Sequence, residues 1–275
     1  MPDFAYSPTV TINFQICGSG PTPVVLLHGF AASLATWHDL RDRFPPDRFR
    51  LYLLDLKGHG FSGKPRDNRY GIADQADIVR AFLADRGLSD VVLVGHSMGG
   101  AIALRTVLDS RAVVDCRVSR LILLDAAAYH QPMPRFMRLM EYPLLGSIIL
   151  RLPARLIVRH VLRTIFRNPA AITPARIDRY ATGFSSRGIP YAFITTVRQL
   201  IPPDYEATVA AYPTITTPTL LIWGAADPII WPRMGERLHR DLPDSQLVLI
   251  PACGHNPHEE RPEETWAAIA QFLDV

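Results

Sequence analysis

Six short apolar runs, each closed by a glycine, an aspartate or a proline, set the framework of this chain. They are "PVVLLHG" (23–29), "FRLYLLD" (49–55), "DVVLVG" (90–95), "VSRLILLD" (118–125), "TPTLLIWG" (217–224) and "SQLVLIP" (245–251). The runs are too short and too evenly apolar for surface helices, so they read as parallel strands buried on both faces. Helical patterns lie between them, at residues 33–44, 72–87, 98–110, 231–242 and 261–275. Strands alternating with helices of this length predict an α/β fold, with a doubly wound, mostly parallel sheet, helices on both faces and right-handed crossovers. In such a sheet ligands sit at the carboxyl ends of the strands. A length of 275 residues, 48% of them hydrophobic, suits one such unit with an insertion.

The alternation fails in one place. Residues 130–212 contain helical patterns, nine prolines and no convincing strand, so they are expected to form a helical cap, or lid, inserted into a core made of residues 1–129 and 213–275. The insertion holds 11 Arg, no Lys and 4 acids, a net +7 against −4 in the rest of the chain. Within it Arg151, Arg155, Arg159, Arg163 and Arg167 recur every four residues. Leu152, Leu156, Ile157, Val161, Leu162, Ile165 and Phe166 occupy the other side. This predicts a basic amphipathic helix, broken early at Pro153, whose apolar side roofs a pocket walled by Met133, Phe136, Met137 and Met140. The arginine row reads either as a solvated face or as a surface for a membrane or an anionic partner. The arginines also interrupt the apolar stretch well before it could span a bilayer.

The strongest local signal is the corner "VGHSMGGAIAL" at 94–104. A serine between a buried strand and the next helix requires a sharp turn with small neighbours, which Gly95, Gly99, Gly100 and Ala101 supply. Ser97 then stands at a helix N-terminus, where unpaired N–H groups favour negative charge. Its hydroxyl needs a neutral imidazole as base, itself oriented by a carboxylate. The loops after the last two strands offer both, as Asp227 in "WGAADP" and His255 in "PACGHNPHEE". The chain order Ser97, Asp227, His255 is that of a G-x-S-x-G nucleophile elbow and its partners. Backbone N–H groups of Met98 and of Phe30, in "LLHGF", are the expected oxyanion donors.

Together with "DLKGHGFSGKP" (55–65), "GAADPII" and "GHNPHEERPEE", these motifs resemble the α/β-hydrolase superfamily. Within it the chain resembles the capped, cofactor-free group of esterases, meta-cleavage-product (C–C) hydrolases, epoxide hydrolases and perhydrolases. The resemblance covers residues 20–128 and 213–275. It implies an acyl-enzyme on Ser97, no cofactor and no metal, and a structural role for Asp55, His59 and Ser62. Ser97 stands where epoxide hydrolases and haloalkane dehalogenases carry an aspartate. Asn256 stands where C–C hydrolases usually have tryptophan, and Met98 where proline iminopeptidases often do. Carboxylic-ester hydrolysis is the activity this leaves, with C–C hydrolysis, perhydrolysis and a non-turnover ligand-binding protein as alternatives.

Several residues have rival readings. Asp125, closing "VSRLILLD", competes with Asp227 for the acid's place, and the "GAADPII" context favours Asp227. Cys253 reads as a small buried residue rather than a second nucleophile. His28 shapes its turn, His96 points away from Ser97, and His258, Glu259 and Glu260 read as a helix cap and a salt-bridged surface. The other cysteines are Cys17 and Cys116, and the N-terminus lacks a secretory pattern, so a reduced cytoplasmic protein is expected. The expected partner is a small-molecule substrate, with no nucleic acid.

Overall fold

The computed structural model describes residues 3–110, 118–184 and 186–275; Cys116 lies outside them. Its eight strands are β1 (Asp3–Ser7), β2 (Val10–Cys17), β3 (Thr22–Leu27), β4 (Phe49–Leu54), β5 (Val91–His96), β6 (Val118–Leu124), β7 (Thr219–Gly224) and β8 (Ser245–Ile250). They form one sheet in the order β1-β2-β4-β3-β5-β6-β7-β8. The last six strands are the six apolar runs, and they pair in parallel. β1 and β2 are antiparallel additions at one edge, where no apolar run predicts a strand. Polar residues such as Asp3, Ser7, Thr11, Asn13 and Gln15 interrupt them, so neither forms the continuous apolar run that marks the interior strands.

Alternation along each interior strand makes two cores. Val25 and Leu27 of β3, Leu93 of β5 and Leu123 of β6 pack on one face with α2 (Ile72–Asp85) and α3 (Met98–Ser110). Val24, Leu26, Val94 and Leu124 pack on the other with Trp37, Leu40 of α1 (His38–Arg41) and Ile269 of the C-terminal helix Pro262–Leu273. Each such side chain contributes about 1.5–3 kcal/mol by leaving water. The helical pattern at 33–44 becomes a 3-10 turn followed by a single α turn. Asp55 takes the N–H of Leu34 and Ser33 that of Ala35, which fixes the entry.

Between β6 and β7 every described element is helical: α4 (Arg135–Arg138), α5 (Pro143–Ile149), α6 (Ala154–Ile165), α7 (Pro174–Gly183), α8 (Ile189–Arg198) and α9 (Tyr205–Ala211), with short 3-10 turns. The arginine-row helix begins after Pro153 and ends at Ile165, so only Arg155, Arg159 and Arg163 of the row lie on it. Its apolar side is narrower than the spacing predicts. Val158, Leu162 and Ile165 are buried, whereas Leu152 and Leu156 are exposed beside the arginines. Beyond the insertion come α10 (Pro232–Asp241), α11 (Pro257–Glu260) and α12 (Pro262–Leu273). None of the described helices is long and apolar enough to cross a membrane.

Candidate active site

Ser97 sits between β5 and α3 with a backbone φ of +53°, a left-handed conformation unusual for a side chain with a Cβ. Close packing enforces it. A Cβ on Gly95 would lie 2.5 Å from the carbonyl oxygen of Gly99, and one on Gly99 would lie 2.3 Å from that of Leu27. The loops after β7 and β8 are brought together in the same way, since a Cβ on Gly224 would overlap the carbonyl oxygen of Gly254 at 1.8 Å. Asp227 and His255 therefore approach Ser97 on loops that only glycine allows to touch.

The resulting geometry is directional. His255 Nε2 lies 2.9 Å from Ser97 Oγ, and His255 Nδ1 lies 2.7 Å from Asp227 Oδ2. The other carboxylate oxygen, Asp227 Oδ1, accepts the N–H groups of Ile229 (2.7 Å) and Ile230 (3.1 Å). An ionised carboxylate only accepts, so Nδ1 carries the proton and Nε2 presents its lone pair to the hydroxyl. Both Asp227 and His255 are buried, which strengthens each of these contacts. Met98, first residue of α3, and Phe30, after Gly29, line a cavity with Ser97. Among the described residues neither backbone N–H has an acceptor.

Asp125 lies at the end of β6, between the strands that carry Ser97 and Asp227. Its Oδ1 accepts the N–H of Gly224, and no donor among the described residues reaches Oδ2. Burial first, then the charge of Asp227, raises its pKa well above the usual carboxylate range. The structure places Asp227, not Asp125, on His255 Nδ1.

The surroundings correct the surface expected at residues 258–260 and add partners to other residues. His96 Nε2 donates to the carbonyl oxygen of His255 at 2.8 Å, and burial, with His258 and His255 nearby, lowers its pKa well below the ordinary value. His258, Glu259 and Glu260 are not a surface but are buried. Glu260 accepts the N–H groups of Gly254, Arg167 and Asn168, fixing the His255 loop against the insertion. Glu259 Oε1 lies 3.2 Å from Arg176 Nε, while its Oε2 accepts from Asn256, Thr36 and Tyr180. The partners of these residues are 79 or more positions away, beyond any local pattern, apart from Gly254 and Asn256. His28 is buried and accepts the Leu56 N–H on Nε2. Asp55 and Ser62 brace the turn after β4 through Asn13, Leu34 and Phe61, and His59 packs among aromatic rings. Burial pushes the Cys253 thiol up, away from thiolate chemistry.

Two apolar cavities meet at Ser97. One runs from Met98 past Ala127 and Ala128 to Tyr212, Met133 and Leu200. The other runs from His255 and Gly29 to Phe136, Met140 and the inner side of α6. Phe30, Met137 and Ile229 line both, so all four insertion residues expected at the pocket are on a wall.

This sheet, with a serine elbow after β5 and an acid and a histidine after β7 and β8, defines an α/β hydrolase. The model of the alpha/beta hydrolase family matches residues 24–268, and the chain belongs to that family as a hydrolase. It is 30% identical over 259 residues to the hydrolase YugF of Bacillus subtilis, covering 92% of this chain and 90% of that protein. Over 260 residues it is 28% identical to a pimeloyl-(acyl-carrier protein) methyl ester esterase of Nitrosomonas europaea, covering 92% of this chain and 96% of that one. Among solved structures it is similar to a thermophilic esterase from Thermogutta terrifontis, with a TM-score of 0.77, 26% identity and coverage of 100% and 98%.

Proposed function

We propose that this hydrolase is a cofactor-independent serine esterase acting on carboxylic esters with apolar groups on both sides of the ester bond. The observation that carries the reading is the unbroken line Ser97 Oγ, His255 Nε2, His255 Nδ1, Asp227 Oδ2, placed where two apolar cavities meet.

In this reading Ser97 Oγ attacks the ester carbonyl as its proton passes to His255 Nε2. The oxyanion is held by the N–H groups of Phe30 and Met98, each worth about 3–4 kcal/mol in the transition state. His255, now protonated and balanced by Asp227, returns the proton to the departing alkoxide, and the acyl group stays on Ser97. Water then attacks the acyl carbon, giving its proton to His255, and the carboxylic acid leaves as Ser97 recovers its proton. The leaving oxygen must come within reach of Nε2, so the alcohol occupies the cavity lined by His255 and the acyl chain occupies the one lined by Met98. The insertion serves as the cap that walls both.

A fluorophosphonate probe tests the nucleophile. The expected result is stoichiometric labelling that the Ser97→Ala variant loses, with kcat/KM for p-nitrophenyl esters rising with acyl length. Labelling that survives the substitution overturns the assignment. One burst equivalent without turnover identifies a ligand-binding protein instead.

A further inference from the structure

The outer surface of the insertion carries apolar side chains that the cavities do not use. Among the described residues twelve large hydrophobic side chains are markedly exposed, and seven of them lie between positions 139 and 156, so this is a patch rather than scatter. Tyr142, Leu144, Ile148, Leu152 and Leu156 are its most open members, from 54% exposed at Leu152 to 84% at Leu144. None lines either cavity at Ser97.

The charge around this patch is almost all positive. Residues 130–167 contain seven Arg, no Lys and a single acid, Glu141. Arg135, Arg138, Arg151, Arg159 and Arg163 are exposed, and among the described residues none of them has a carboxylate within 4.0 Å. Beside Pro143 and Ser147 of α5, Arg66, Arg151 and Arg198 line one groove, and none of these three has an acidic partner among the described residues either. An apolar patch ringed by unpaired guanidinium groups matches a surface that is apolar at depth and anionic at its face.

We infer that α4, α5 and α6 dock this protein on the surface of an anionic lipid bilayer. The aliphatic side chains of α5 and of the α5–α6 junction enter the headgroup region, and the arginines meet lipid phosphates. A second copy of the chain is the poorer occupant, since pairing through this face would set two strongly positive surfaces against each other. The inner side of α6 lines the cavity at His255, so docking lays that cavity wall against the lipid. The inference concerns where the chain binds and holds whether or not Ser97 reacts.

The test is cosedimentation of the Ser97→Ala protein, which leaves vesicle lipids intact, with phosphatidylcholine vesicles and with vesicles of equal phosphatidylcholine and phosphatidylglycerol. The anionic vesicles should bind far more protein at low salt. The triple variant Arg151→Gln/Arg159→Gln/Arg163→Gln should weaken that binding about ten- to a hundredfold. Leu144→Ser/Ile148→Ser/Leu152→Ser should remove the part that survives high salt. Both variants should unfold in urea at the midpoint of the parent protein, which shows that they are folded. Equal binding to the two vesicle types, no binding, or indifference to both variants overturns the inference. So does concentration-dependent dimerisation that the apolar variant abolishes.

Discussion

The cluster at the sheet edge and the wall of the insertion face the same cavity but are held by different forces. Ser97, His255 and Asp227 are fixed by short directional bonds, with both oxygens of Asp227 and both ring nitrogens of His255 engaged. Met133, Phe136, Met137 and Met140 are held by contact alone, which fixes volume but not orientation. The contrast separates how the protein reacts from what it accepts. A directional cluster fails sharply when one bond is lost, whereas an apolar wall gives way gradually and changes preference first.

The sharpest way to break the contrast lies within the cluster. Asp227→Asn leaves shape and packing but offers His255 Nδ1 a donor or a weaker acceptor, and should lower kcat about 10⁴-fold. Asp125→Asn, one strand away, keeps the acceptor for Gly224 N–H and leaves the Asp227–His255 contact in place, so it should change kcat by less than about tenfold. Steady-state kinetics on a soluble ester decides the matter. The reverse ranking would give the acid's role to Asp125.

These two regions were also unequally legible in the sequence. The elbow and the acid and histidine loops are written in a few consecutive residues, because a tight turn and close backbone approach demand glycine at fixed offsets from Ser97 and His255. The six interior strands were legible for a similar reason, since burial on both faces leaves an apolar run with no other stable use. The insertion was legible only as helical. Its period gives each helix two sides but not which neighbour covers which, so Leu152 and Leu156 read as inward although they face out. His258 and Glu259 read as surface because their partners Thr36, Tyr180 and Arg176 come from the far side of the chain. The partner of His96 is not legible because it is a backbone carbonyl, which no side-chain pattern announces.

Two arginines of the insertion sharpen the comparison at the level of stability. Arg176 is buried, pairs with Asp39 and with Glu259, and ties α7 to the core. Arg176→Met strands the Glu259 carboxylate in the interior and should cost about 3–5 kcal/mol in urea unfolding. Arg159→Gln, on the outer side of α6, should stay within about 0.5 kcal/mol of wild type. Equal effects would mean that the insertion is held by its surface charges rather than by this buried pair.

The smallest effect concerns a proton. His258 is wholly buried, its ring 4.7 Å from that of Trp37 and 4.6 Å from that of His96, with Nε2 2.9 Å from Thr36 Oγ1. Burial above all, then the nearby His255 ring and Arg176 guanidinium, lowers its pKa from 6.5 to about 3. The unfolded chain takes up a proton there as pH falls below 6.5 and the folded one does not, so the stability gained by keeping the ring neutral is full above 6.5 and is lost on acidification toward pH 3. Between pH 7 and pH 5 the loss from this one group is about 2 kcal/mol. His258→Gln removes the group from the balance and keeps an amide for Thr36. Comparing urea midpoints of the two proteins at both pH values cancels the other buried histidines, and wild type should lose that much more than the variant. Equal losses would show that the ring binds its proton inside the fold.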